Sequence, residues 1–293
     1  MPNPPAVSPN PVTIRDRDIV LLVGTIKGAF LFRSDHARRK WEVGGPYFAG
    51  RSVYAMAYDG RAGRHRIWAA PKSLHWGAEL CASDDFGRTW SRPEVPRIAF
   101  PESSGASLAN IWQIESGGDD EPDRLFLQHH FGLYRSDDGG DSWRERKNGV
   151  PSDFGFAMAI HPRDPATVYI VPLQSDEFRC PPEGKLRVYR TRDGARSWKP
   201  LARGLPQKDC YDTILRDALS VDREDPAGVY FGTRDGRLYA SRDEGESWSL
   251  VAEDLPAVTF VRAATVRARA KARARVPAAK PGGAERRRRK KAA

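Results

Sequence analysis

The chain has 293 residues, 40% of them hydrophobic, enough for a sizeable folded core. No apolar run approaches the roughly 20 residues of a membrane-spanning helix, and the first residues lack an apolar segment behind a basic one, so neither a membrane span nor a secretory leader is expected. The net charge of +10 says little about the folded part: 13 of the 48 Lys and Arg, against the single acid Glu285, lie between Arg262 and Ala293, which leaves 35 basic and 37 acidic residues elsewhere.

In chain order, residues 1–17 are proline-rich and expected to be disordered. From residue 18 the sequence turns into short β-branched and aromatic runs bounded by Gly, Pro and Asp, the pattern of strands. "IVLLVG" and "GAFLFR" lead to "SDHARRKW" at Ser34. "VYAMAYD", "RIWAA" and "AELCA" lead to "SDDFGRTW" at Ser83. "NIWQIE", "RLFLQ" and "GLYR" lead to "SDDGGDSW" at Ser136. "FAMAIHP", "TVYIVP" and "LRVYR" lead to "TRDGARSW" at Thr191, and "DALSVD", "GVYFG" and "RLYA" to "SRDEGESW" at Ser241. The motif recurs at spacings of 49, 53, 55 and 50, and five of the eight tryptophans fall at its last position. A period near 50 points to a propeller or a solenoid.

Each unit therefore reads as a four-stranded antiparallel meander, strands A to D, with the motif at the C–D turn. Such a sheet cannot bury both faces alone, and radial stacking solves this while leaving only short edges. The predicted fold is all-β: a propeller of five four-stranded blades over residues 18–266. The first unit lacks an A strand, whereas "VTFVRAATV" follows the last unit, so residues 258–266 are expected to complete the first blade and close the ring.

The motif itself suits a tight turn. An aspartate can accept bonds from backbone N–H groups, a glycine permits positive φ, the hydroxyls add local bonds, and a tryptophan opens strand D with a large area to pack. The structural residues expected are Ser83, Asp85, Gly87 and Trp90; Ser136, Asp138, Gly140 and Trp143; Asp193 and Trp198; and Ser241, Asp243, Gly245 and Trp248. The first copy lacks the aspartate and glycine and should be looser; in the fourth, Gly194 sits one place early.

The pattern Ser-x-Asp-x-Gly-x-Thr-Trp resembles the Asp-box, or BNR repeat, of sialidases, sortilin-type receptors and related β-propellers. The stretches "LLVGTIKGAFLFRSD", "SDFGFAMAIHPRDPATVYIVPL" and "DPAGVYFGTRDGRLYASRDEGESW" are similar to a bacterial group often labelled glycosyl hydrolase or BNR-repeat protein, and the resemblance spans about residues 19–262. It implies that the boxes are structural and lie on the rim opposite the ligand-binding face. Members of that group tend to have more than five blades, so a lost stretch would fall near Leu127–His130. The arginine triad and Arg-Ile-Pro segment of sialidases are not reproduced by "VPRIAFP", and none of those roles is carried over.

A site would then be built from the B–C and D–A connections, which differ between units. These loops supply Lys27, Arg51, His75, Trp76, His129, His130, Arg179 and Arg216 as candidate ligand-binding residues, and Asp176, Glu177 and Asp212 as candidate catalytic carboxylates. Aromatics, arginines and carboxylates together suit a sugar or small-molecule pocket, and equally a loop-rich polar surface. The readings left open are a ligand-binding propeller for a carbohydrate or protein partner, a glycoside hydrolase using these carboxylates, and a scaffold. Three cysteines without a CxxC or Cys/His cluster fit reduced thiols in a cytosolic protein, with a Cys180–Cys210 contact as an option. No metal or cofactor is expected. Residues 267–293 form a low-complexity basic tail, expected to be disordered: either simply solvated or an arm for nucleic acid without sequence specificity.

Overall fold

The structure, a computed structural model, describes residues 10–73, 77–91, 110–112, 114–116, 125–127, 134–135, 144–145, 149–152 and 154–266. In chain order the strands are β1 (Ile19–Thr25), β2 (Gly28–Ser34) and β3 (Glu42–Tyr47); β4 (Ser52–Asp59), β5 (Arg66–Ser73), β6 (Gly77–Ala78) and β7 (Cys81–Ser83). They continue as β8 (Ile114–Ser116), β9 (Leu125–Leu127), β10 (Tyr134–Arg135) and β11 (Arg144–Glu145). Then come β12 (Gly155–Ile160), β13 (Val168–Pro172), β14 (Val188–Thr191) and β15 (Lys199–Leu201). The last are β16 (Leu219–Val221), β17 (Val229–Gly232), β18 (Leu238–Ser241), β19 (Ser249–Ala252) and β20 (Val258–Thr265).

The pairing is antiparallel throughout, in the orders β20-β1-β2-β3, β12-β13-β14-β15 and β16-β17-β18-β19. β6 and β7 both pair with β5, at Lys72↔Ala78 and Ile67↔Ser83, and so act as one strand interrupted at Glu79 and Leu80. β8 pairs with β9 and β10 with β11. The chain is a β-propeller, and its first blade is completed by the C-terminal strand as the sequence implies: β20 runs beside β1 from Ile19↔Thr265 to Thr25↔Val258.

The sheets stand side by side through their first strands. β4 packs against β1, β20 and β8, β12 against β16, and β16 against β20. The first blade is thus covered on both faces, by β4 on one side and β16 and β17 on the other, which is why all seven residues of β1 are buried, whereas β12 of the fourth blade keeps Met158 and Ile160 exposed. At Gly24 the approach is so close that a Cβ would come 2.2 Å from the Val53 carbonyl oxygen of the next blade. The core is a set of clusters in the seams. One joins Val171, Leu201 and Trp248 across the fourth and fifth blades, another Leu21, Phe32 and Tyr230 across the fifth and first. A third joins Leu22, Tyr47 and Met56 across the first and second, and a fourth Ala55, Trp68 and Ile114 across the second and third. Full burial of one such side chain contributes about 1.5–3 kcal/mol.

One expectation needs correction. Residues 10–17 are not loose: Asn10 bridges Gly45 and Val12 is buried in the seam of the first two blades, because the apolar Val12 and Ile14 find a surface there that a proline-rich composition does not announce. Cys180 and Cys210 are buried free thiols, in line with the reduced-thiol reading. Residues 267–293, and with them the tail, lie outside the described residues.

Candidate functional site

A meander alternates its connections between two rims. One rim carries the A–B and C–D connections, the other the B–C and D–A connections.

On the first rim the repeat turns share one hydrogen-bond scheme. In the second blade the Ser83 hydroxyl donates to Asp85 Oδ1 (2.8 Å) and accepts from the Gly87 N–H (2.7 Å), while Asp85 accepts from the Thr89 N–H (2.8 Å) and hydroxyl (2.6 Å). The fifth blade repeats this with Ser241, Asp243, Gly245 and Ser247, and the fourth with Thr191, Asp193, Ala195 and Ser197. Burial pushes Asp85 and Asp243 up, but the bonds from Thr89 and Ser247 outweigh it and hold both below the ordinary carboxylate range. Asp193 is held low by Ser197. The first copy is built differently, with the Ser34 hydroxyl donating to the Lys40 carbonyl (2.6 Å) and Asp35 accepting from the Ala37 N–H (3.0 Å). The third copy, with Ser136, Asp138, Gly140 and Trp143, lies outside the described residues.

The tryptophans that follow these turns fill seams. Trp90 packs on Phe48 (centroids 4.7 Å) and Tyr47 (6.0 Å) of the first blade, and Trp41 sets its edge on Tyr230 (5.8 Å) of the fifth. The indole N–H groups of Trp90, Trp198 and Trp248 are buried without a hydrogen-bond partner among the described residues, so these rings act through area.

The opposite rim holds the sequence-selected loops. Lys27, on the β1–β2 turn, is exposed. Arg51 is braced, with its guanidinium on Glu79 (3.0 Å) and on the Pro71 carbonyl (3.2 Å). His75, Trp76, His129 and His130 lie outside the described residues. In the β13–β14 connection, Asp176, Glu177, Phe178 and Arg179 form an exposed tip. It curls on itself: Gln174 donates to the Cys180 carbonyl (2.9 Å) and Arg179 Nε to the Asp176 carbonyl (2.8 Å). The Arg179 guanidinium carbon also lies 5.2 Å from the Phe156 ring centre.

The β15–β16 connection is tied to this tip. The Thr213 hydroxyl donates to the Arg179 carbonyl (2.6 Å), the Cys210 N–H to the Gly184 carbonyl (3.0 Å), and the Arg234 N–H to the Thr213 carbonyl (2.9 Å). Phe178, 52% exposed, and Tyr211, 63% exposed, therefore stand on bonded neighbouring loops. Arg216 lies on the same connection, half-buried.

Asp212 is unlike the other candidate carboxylates. Its side chain is 1% exposed, and Arg237 Nη1 reaches both oxygens, at 3.1 and 3.0 Å. Burial first, then the neighbouring carboxyl of Asp235, push it up to about 6 against the opposing Arg237. Asp235 and Arg237, in the β17–β18 connection, were missed in the sequence reading, although "TRDGR" carries the turn signal of a B–C connection. Burial also pushes the Cys180 and Cys210 thiols up, which makes them poor nucleophiles. Among the described residues no group of three or more His, Cys, Asp and Glu could hold a metal ion, and no helix is long and apolar enough to cross a membrane.

A cavity of about 270 Å3 opens on the other rim, between the 84–88 turn and the residues around Ile14.

No protein-family profile matches the chain, and no curated protein does. Among solved structures it is similar to an ancestral GH74 enzyme, at 17% identity and a TM-score of 0.28, over 84% of this chain and 32% of that one. It is also similar to YCF48 bound to D1 peptide, at 12% identity and a TM-score of 0.25, over 84% of this chain and 71% of that one. The chain thus spans about a third of the length of the first. At these scores the propeller assignment rests on the strand pairing and the seams.

Proposed function

We propose that this is a ligand-binding propeller that holds a carbohydrate or protein partner on the B–C and D–A loops of its fourth and fifth blades. The observation that carries the reading is the pair of exposed aromatics, Phe178 and Tyr211, on loops bonded through Thr213 and Arg179. A rigid aromatic surface flanked by arginine suits stacking on a sugar ring or burial under a protein partner. The Ser, Thr and Asp groups of the box turns are spent on their own turns, in keeping with the resemblance to Asp-box propellers.

Hydrolysis is supported less well. Paired glycosidase carboxylates stand about 5–10 Å apart with one free to act on substrate. The neighbouring Asp235 carboxyl helps to push Asp212 up, and Arg237 engages both Asp212 oxygens. Asp176 and Glu177 lie on the exposed loop tip. The scaffold reading depends on the basic tail, outside the described residues.

The test is calorimetric titration of the full chain with hits from a carbohydrate panel and a peptide library, with product analysis of each hit. The expected result is a hit without turnover whose affinity falls about tenfold or more in Phe178→Ala with Tyr211→Ala. Turnover abolished by Asp212→Asn would replace binding with hydrolysis.

A further inference from the structure

The seams on the box rim follow a rule. At the junction of the fifth and first blades, Arg38 of the β2–β3 turn reaches Asp222 Oδ2 (3.0 Å) and the Pro226 carbonyl (3.0 Å) in the fifth blade's A–B connection. The Tyr230 hydroxyl adds a bond to the same Asp222 oxygen (2.7 Å). At the junction of the fourth and fifth blades, Glu244 of the β18–β19 turn pairs with Arg192 and faces His161 (3.9 Å) of the fourth blade's A–B connection. The Tyr169 hydroxyl donates to the Glu244 carbonyl (3.3 Å). In both, the C–D turn of one blade docks on the blade before it through opposite charges, at the A–B connection in the fifth–first junction and at Arg192 of the C–D turn in the fourth–fifth junction.

The junction of the first and second blades cannot follow this rule. The first blade has no continuous A–B connection: its A strand, β20, ends beside Val266, and its B strand, β1, is entered from Arg15–Asp18. The two ends are held together by the bonds Val266 N–H to Asp18 O (2.8 Å) and Arg17 N–H to Val266 O (2.7 Å). Facing them is the 84–88 turn, and between lies the 270 Å3 cavity. Val12, Ile14, Phe86 and Val266 give it an apolar wall, and Arg15 and Arg88 line it as well.

Unlike the charged groups of the other two seams, the arginines here have no carboxylate within ion-pair distance among the described residues, although Asp16 and Asp85 line the same cavity. Asp84 is held by Arg66 (2.7 and 2.8 Å), and Asp85 is closed into its own turn. His65 holds the Tyr58 hydroxyl through Nδ1 (2.9 Å). Asp16 is exposed. Among the described residues neither Arg15 nor Arg88 has an ion-pair partner, although Arg88 occupies the turn from which Arg38 and Glu244 reach theirs.

We infer that this cavity is a binding site for a small organic anion, a monocarboxylate with a short apolar body. The carboxylate meets Arg88 and Arg15 in the place a loop carboxylate takes at the fifth–first junction, and the body lies on Phe86, Ile14 and Val266. Arginine suits the task because its planar fork matches a carboxylate. The volume admits a ligand of roughly benzoate size, small for an ordinary ligand pocket.

The experiment titrates the full chain with benzoate and with hexanoate at ionic strength fixed by chloride, following melting temperature and heat. Saturable binding is expected, with benzamide giving none. Arg88→Met and Arg15→Met, both changes of exposed side chains, should each weaken it about tenfold, while Phe178→Ala leaves it unchanged. Absence of saturation, an equal response to benzamide, or undiminished binding in both arginine variants overturns the proposal. The last outcome would assign the anion to the basic tail, which both variants keep.

Discussion

At the scale of single residues, the carboxylates divide by environment. Asp85 and Asp243 accept several short bonds from their own turns and are held low; they stabilise the fold above the ordinary carboxylate range and lose that contribution as pH falls through their lowered values. Asp212 has the opposite sign. Burial and Asp235 raise it from 3.8 to about 6, so its contribution is complete below the ordinary value and is lost as pH rises through the folded one. Above about pH 5 the turn aspartates are ionised in the folded and the unfolded chain alike, which isolates Asp212 from there to about pH 7. Wild-type stability should therefore fall across that window, and Asp212→Asn should flatten the fall, as read by urea denaturation at several pH values. An unchanged slope in the variant would show that Asp212 ionises normally beside Arg237.

At the scale of elements, the C–D turn explains an oddity of the fourth repeat. Each well-formed turn has two consecutive residues at positive φ: Phe86 (56°) and Gly87 (86°), Glu244 (57°) and Gly245 (90°), Gly194 (67°) and Ala195 (68°). Glycine is favoured at either place, and the fourth repeat has used the first and left an alanine in the second. Ala195→Gly should then stabilise the protein by about 1 kcal/mol, the left-handed strain relieved less the entropy glycine gains in the unfolded chain. Gly87→Ala is the contrasting change, because its Cβ would come 2.7 Å from the Tyr47 ring. A denaturation midpoint that drops in Ala195→Gly would refute this account of the turn.

At the scale of the whole molecule, stability depends on the joints between blades. Strand β20 makes the first blade a composite of both chain ends, and the neighbouring fifth blade is locked to it by Arg38 and Asp222, with side chains 6% and 0% exposed. Removing one partner of a buried pair leaves the other charge uncompensated, at a cost of about 3–5 kcal/mol. Arg38→Met should lower stability by that order, and adding Asp222→Asn should recover part of the loss, since the stranded charge is gone. Equal stability of the two variants in denaturant titration would mean that the pair carries packing alone.

The sequence by itself determined what is local and periodic. The recurrence of Ser, Asp, Gly and Trp near every 50 residues placed the turns, and the apolar runs between them placed the strands. An orphan strand after the last repeat placed the closure of the ring, because an unpaired A strand must find the blade that lacks one. Period and turn chemistry survive in sequence since hydrogen bonds such as Asp243 to Ser247 span four residues. The tertiary structure decided what depends on neighbours distant along the chain. Arg237 reaches Asp212 across 25 residues, and Arg38 reaches Asp222 across 184. The cavity beside Val266 exists because the exit of β20 and the entry to β1 meet there instead of being joined by a loop. No window of sequence records those encounters. Burial, charge pairing and open volume are set by which blades adjoin, and that is fixed only when the ring closes.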